Sequence, residues 1–382
     1  MLFSLRAVLP FAVGLVFGRA LLACSGSSAQ MAAPIVDEPD AVAIDVVSDA
    51  GSAPEAGEEK DACPASCGRC TECAIGPFNE KVWTWDQVHD KCSYSNNGNP
   101  FWEWVVRGRE PTEPATYPVF LYLVGTGDTA TSPVAIDIVE RMAARGYVAA
   151  SIPYASLDGI GAVMNDPTEA CSIAAKKGSC LFGSGEGSAV SRVCARAKAD
   201  CSRGIVVAGH SQGAWLATLA KDHEPRVRAV LGLGNGVHER VSIPALNLDV
   251  AADLSACILP KARALPADRL RVVNGEAEYA YGTSLEADMR AITGIDCPSG
   301  KLDCLRPNGS GWAFFPNAAS ETDVGGPDGG LVARHCFFAN TPPGDCGETY
   351  AGLNSTWAKG TAPHSREPNL TWLASFTDPP AK

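Results

Sequence analysis

Along this chain, uninterrupted apolar runs alternate with stretches whose apolar residues recur at helical spacing. Residues 117–128, YPVFLYLVGTGD, are almost wholly apolar until they reach a pair of glycines. So few polar positions predict a strand buried on both faces. Residues 132–146, SPVAIDIVERMAARG, carry a serine cap, a proline in the first turn, apolar residues three and four apart and a closing glycine. That pattern predicts a helix. Residues 147–156, YVAASIPYAS, return as a strand, completing a β-α-β unit.

The alternation is repeated. An early strand is expected over 101–108, FWEWVVRG. Helices are expected over 188–200 and 212–222, and strands over 204–209, 226–236, 269–282 and, last, 309–319. The predicted class is α/β, with a mostly parallel central sheet and helices on both faces. Residues 156–187 break the pattern; rich in Gly, Ser and Ala, they read as an inserted loop near the rim of the site. Trp83, Trp85, Trp102 and Trp104 alternate in a way that reads as one packed strand face.

Composition changes the picture at the N-terminus. The chain has 382 residues and a net charge of −12. Residues 25–62 hold nine acidic residues against Lys60 alone and no aromatic residue, so they read as a flexible stalk. The remainder is mildly acidic, which argues against nucleic acid as a partner. The first residues, MLFSLRAVLPFAVGLVFGRALLAC, place one basic residue before an apolar stretch too short for a comfortable membrane span. On composition alone this is a secretory leader.

Fifteen cysteines are present. Such a number suits an oxidising compartment, where thiols pair as disulfides. Four pairs close in sequence are expected to bridge: Cys171/Cys180, Cys194/Cys201, Cys297/Cys304 and Cys336/Cys346. Cys63, Cys67, Cys70 and Cys73 have spacings that fit either a metal cluster or disulfides; export favours disulfides and no metal.

The chemistry centres on Gly209-His210-Ser211-Gln212-Gly213. Ile205-Val206-Val207 precede it and the helix-forming residues 214–220 follow, the context in which G-x-S-x-G exposes a nucleophilic serine on a strained turn. The helix N-terminus there directs partial positive charge at a developing oxyanion, and the Gln212 N–H is placed to donate to it. Gly125 and Thr126, in LVGTGD, are the candidate second oxyanion donors.

These motifs and the order of elements resemble the α/β-hydrolase superfamily over about residues 101–376. The resemblance implies an α/β-hydrolase fold and a triad in the order serine, acid, histidine. Glu278, in VVNGEAEYAYG, is the first candidate acid and Asp253, in IPALNLDVAAD, its rival. His335 and His364 lie after both acids. His335, in a Gly/Asp-rich loop, is the expected base, whereas His364 reads as exposed coil. His89, His223 and His238 fall in the wrong order, and His210 reads as a packing or pocket residue of the elbow itself.

Leu21-Leu22-Ala23-Cys24 resembles a bacterial lipobox, implying cleavage before Cys24, its acylation and anchoring in the cell envelope. The resulting organisation is a signal peptide at 1–23, a stalk at 24–62, a Cys-rich extension at 63–100 and a catalytic domain at 101–382. The expected function is an exported serine hydrolase cleaving small-molecule or polymeric carboxylic esters without a cofactor. An acyltransferase, a peptidase or a non-catalytic surface-binding protein on the same scaffold are the alternatives.

Overall fold

The computed structural model describes residues 78–84, 105–126, 128–152, 154, 156, 169–184, 188–243, 248–278, 280, 285–319, 333–339 and 354–378. The leader, the stalk with Cys24, and the Cys63–Cys73 cluster lie outside the described residues, as do Trp85, Trp102 and Trp104.

Strands β1 (Phe78–Thr84) and β2 (Val105–Pro111) pair antiparallel. Strand β3 (Val119–Leu123) leads to helix α1 (Pro133–Ala144) and β4 (Val148–Ile152). Ser132 caps α1 by accepting from the Ala135 N–H at 3.4 Å, and Gly146, at φ 86°, turns the chain out of the helix. Helices α2 (Ala170–Phe182) and α3 (Ala189–Cys194) precede β5 (Ile205–His210), α4 (Gln212–His223) and β6 (Val227–Leu233).

A hairpin of β7 (His238–Ile243) and β8 (Leu248–Asp253) follows, then the short α5 (Ser255–Ile258). Next come β9 (Leu270–Gly275), α6 (Leu285–Thr293), β10 (Asp303–Leu305) and β11 (Gly311–Phe315). The last described elements are α7 (Ser355–Lys359) and α8 (Arg366–Ala374).

Nine strands form one sheet in the order β1-β2-β4-β3-β5-β6-β9-β11-β10. Its six central members, β4 to β11, run parallel, while β1, β2 and β10 are antiparallel additions at the edges. β3, β4, β5, β9 and β11 are buried along their whole lengths. That is the reason for their apolar runs: a strand covered on both faces has no solvent side to mark with polar residues. Helix α4 packs on β3, β5 and β6, α1 on β2, β3 and β4, and α6 on β9 and β11. The architecture is α/β with a mostly parallel sheet, as expected.

Two expectations fail locally. The stretch read as an inserted loop contains α2, thirteen residues long. The helix expected over 188–200 stops at Cys194. The rival acid Asp253 ends β8, which pairs with β7 in a separate two-stranded sheet.

The helix also corrects a disulfide. Cys171 bonds to Cys257, tying α2 to α5, with Cα atoms 5.7 Å apart. Residues nine apart in a helix are separated by about 13 Å along its axis, beyond a disulfide's reach of roughly 7 Å. Cys180 is disulfide-bonded as well, so the Cys171/Cys180 pairing is replaced rather than left reduced. Cys194–Cys201 and Cys297–Cys304 are bridged as their short spacing suggests. The Cys336/Cys346 pair lies outside the described side chains.

Candidate active site

The parallel strands end on one edge of the sheet, where ligands meet open α/β folds. Ser211 follows β5 directly and is the N-cap of α4. Its backbone is at φ 54°, ψ −125°, and it is the only non-glycine with positive φ among the described residues. Such a conformation costs of order 1–3 kcal/mol for an L residue and persists only where the surroundings impose it. Here the Ser211 N–H donates to the Leu233 carbonyl at 2.9 Å, tying the turn to the end of β6.

The flanking glycines let the turn close. A Cβ on Gly209 would lie 2.3 Å from the Gly213 carbonyl oxygen, and one on Gly213 would lie 2.3 Å from that of Leu123. No side chain fits at either position.

His335 opens a 3-10 turn, His335–Phe338, in the chain beyond β11. That segment docks on the end of β9, where the Ala277 N–H donates to the Ala333 carbonyl at 2.9 Å. Glu278 stands three residues past β9, its side chain fully buried. The Ser211 hydroxyl donates to His335 Nε2 at 2.8 Å, and His335 Nδ1–H donates to Glu278 Oε2 at 2.9 Å. Glu278 Oε1 accepts from the Ala280 N–H at 2.8 Å, so the carboxylate cannot swing away. Serine, imidazole and carboxylate thus form one buried hydrogen-bonded chain assembled from three strand ends. It can take the serine proton onto an imidazole whose positive charge an ionised carboxylate then stabilises.

The rival residues are elsewhere. Asp253 lies opposite His238 across the β7–β8 hairpin, and its Oδ1 accepts from the Ser255 N–H at 2.8 Å, opening α5. Its role is a local turn, because the hairpin leaves the sheet. His364 is half-buried rather than exposed, its ring edge-on to Phe315 at 5.2 Å between centroids. Burial lowers its pKa.

The oxyanion candidates surround the serine. Gly125 is buried, and a Cβ added to it would lie 3.4 Å from Ser211 Cβ and 2.7 Å from His210 Nδ1. Thr126 is exposed, and its hydroxyl accepts from Gln212 Nε2 at 3.0 Å. Gln212 Nε2 also donates to the Ser156 carbonyl at 3.0 Å, and Gln212 Oε1 accepts from Lys177 Nζ at 2.7 Å. The two loops that carry candidate donors are therefore joined by one amide.

Sequence reasoning missed Lys177. It is only 4% exposed and shares the inner face of α2 with Ile173, Ala174 and Leu181. The signal was present: a lysine at helical spacing among apolar residues, hidden by reading the segment as loop. Two carboxyl groups were also missed. Burial pushes Asp128, just past the Gly125–Thr126 turn, up to about 7. Glu239, on β7, is raised to about 7, again chiefly by burial. His210 donates from Nε2 to the His335 carbonyl at 2.9 Å, and burial, with help from the His335 charge, lowers its pKa to about 3.

Among the described residues no cluster of His, Cys, Asp and Glu is arranged to hold a metal ion, and no helix is long and apolar enough to cross a membrane. No protein-family model matches the chain, and no curated protein matches it significantly.

Proposed function

We propose that this chain is a serine hydrolase of the α/β-hydrolase type that cleaves carboxylic esters outside the cytoplasm. One observation carries the reading: Ser211, strained at a helix N-terminus, donates to His335, which donates to the buried Glu278. The chain order serine, acid, histidine and the strand–turn–helix setting of Ser211 support assignment to that superfamily.

As the Ser211 Oγ attacks the ester carbonyl carbon, its proton passes to His335 Nε2. The oxygen that gains charge faces the N-terminus of α4, where the Gln212 N–H is one donor and the Gly125–Thr126 backbone supplies the other. Collapse breaks the bond to the alcohol oxygen, which leaves with the proton from Nε2. Water then attacks the acyl-serine, giving its proton to Nε2, and the acid and free Ser211 are released. Glu278 accepts from Nδ1–H throughout, holding that tautomer.

The leader and the lipobox-like Leu21–Cys24 segment, together with the disulfides, support export and anchoring through acylated Cys24. The reading is tested with a fluorophosphonate probe and a panel of chromogenic esters. Labelling of Ser211, with turnover lost in Ser211→Ala, is the expected result. An inert protein that the probe does not label would instead be a binding protein on this scaffold.

A further inference from the structure

A second carboxylate reaches the site from the β7–β8 hairpin. Beyond β6 the chain passes directly beside the imidazole: a Cβ on Gly234 would lie 3.2 Å from His335 Nδ1 and Cε1. The N–H groups of Val237 and His238 then donate to Asp288 Oδ2 at 3.0 and 2.9 Å, and His238 Nδ1 lies 3.0 Å from Asp288 Oδ1. Glu239 projects from this anchored point, with Ala252 as its register partner.

Glu239 is partly exposed, and its inner oxygen, Oε2, has no hydrogen-bond partner. The carboxyl group lies within electrostatic reach of His335, Glu278 and Tyr154. Those three stand beyond β11, β9 and β4, so Glu239 is bracketed by the mouth of the site. Tyr154 also feels Asp128, and its hydroxyl donates to the Val124 carbonyl at 2.8 Å, beside the Gly125 turn. The nearby cation, Lys177, lies 5.7 Å from the Tyr154 ring centroid and directs its ammonium to Gln212.

An ionised carboxylate can only accept hydrogen bonds, and a buried carboxylate oxygen without a partner is costly. The chemistry that satisfies it is a positive charge supplied from outside. We propose that Glu239 is a specificity-determining residue whose carboxylate receives the ammonium group of a cationic ester, holding that substrate beside Ser211. The inference rests on the reading of Ser211 as nucleophile and adds the substrate class.

The test uses esters matched in shape and differing in charge: acetylcholine against 3,3-dimethylbutyl acetate for the alcohol side, and p-nitrophenyl 4-(trimethylammonio)butanoate against p-nitrophenyl 5,5-dimethylhexanoate for the acyl side. In the full-length protein, the cationic member of at least one pair is expected to show a kcat/KM roughly ten- to a hundredfold higher. Glu239→Gln should bring that ratio to about one, and the ratio cancels any effect of the variant on shared machinery. In the wild-type protein, with no substitution, the preference should fade with added salt and below about pH 7, where Glu239 takes up a proton in the presence of His335, Glu278 and Tyr154.

Equal, Ser211-dependent turnover of both members of both pairs would overturn the cation subsite and leave the esterase reading standing. If no ester is turned over, choline binding decides, read as a rise in Tm. A rise lost in Glu239→Gln supports the cation site while defeating the esterase reading; no rise overturns both.

Discussion

His210 holds the backbone of His335. Its Nε2–H donates to the His335 carbonyl at 2.9 Å, with the two rings 5.0 Å apart between centroids. The residue immediately before the proposed nucleophile therefore locates the residue proposed to deprotonate it. Burial keeps His210 neutral down to about pH 3, so this support does not switch off in the range where esters are assayed. His210→Ala should lower kcat roughly 10- to 100-fold by loosening His335, a loss typical of small misplacements in an active site. The shape of the pH–rate profile should not change, because a group titrating near 3 contributes nothing at neutral pH.

The hydrogen-bonded chain separates the candidates that sequence order left open. Ser211→Ala and His335→Ala should each lower kcat by up to about a millionfold, and Glu278→Gln by about ten-thousandfold, through the wrong imidazole tautomer. His364→Ala and Asp253→Asn should stay within a few-fold of the wild type. Steady-state kinetics on one ester decides all five; a large loss in Asp253→Asn with none in Glu278→Gln would reverse the assignment.

Lys177 and Gln212 link the two loops that flank Ser211. Lys177→Met keeps the length and apolar stem but leaves Gln212 Oε1 without its donor. An unpaired buried acceptor costs about 1–3 kcal/mol. The expected outcome is kcat lower by about tenfold with KM nearly unchanged, since the amide orients the proposed oxyanion donors rather than the ground-state ester. A loss confined to KM would contradict it.

Asp128 carries a pH signature in stability. Its folded pKa is raised from 3.8 to about 7 by burial, so the fold prefers the protonated carboxyl. The cost of ionising it is absent below the unfolded value, grows as pH rises between the two values and is complete above about 7. Asp128→Asn should therefore be more stable than the wild type at pH 8, by about 4 kcal/mol, and the gain should largely vanish near pH 4. Denaturant unfolding at the two pH values measures the difference.

The Cys171–Cys257 bond closes a sequence separation of 86 residues. Loops of that length constrain the unfolded chain strongly, so Cys171→Ala with Cys257→Ala should cost about 2–4 kcal/mol. Because α2 carries Lys177, the double variant should also lose activity before it loses its fold. Activity and circular dichroism followed together through a thermal ramp check this.

Local pattern determined the parallel core and the place of Ser211. Apolar runs such as 119–123 and 205–208 are legible because strands buried on both faces lose their polar alternation. Gly209 and Gly213 are legible because no other residue allows the backbones to approach as they do. Tertiary structure alone decided which carboxylate meets His335. Glu278 and Asp253 both follow plausible strands, but β9 lies inside the sheet while β8 belongs to a separate hairpin, and pairing partners are not written in local periodicity. It also decided that Cys171 bonds across 86 residues, that Lys177 faces inward onto Gln212, and that Glu239 is left unpaired beside the imidazole. Each of these depends on which elements pack together, a property set by contacts distant in sequence.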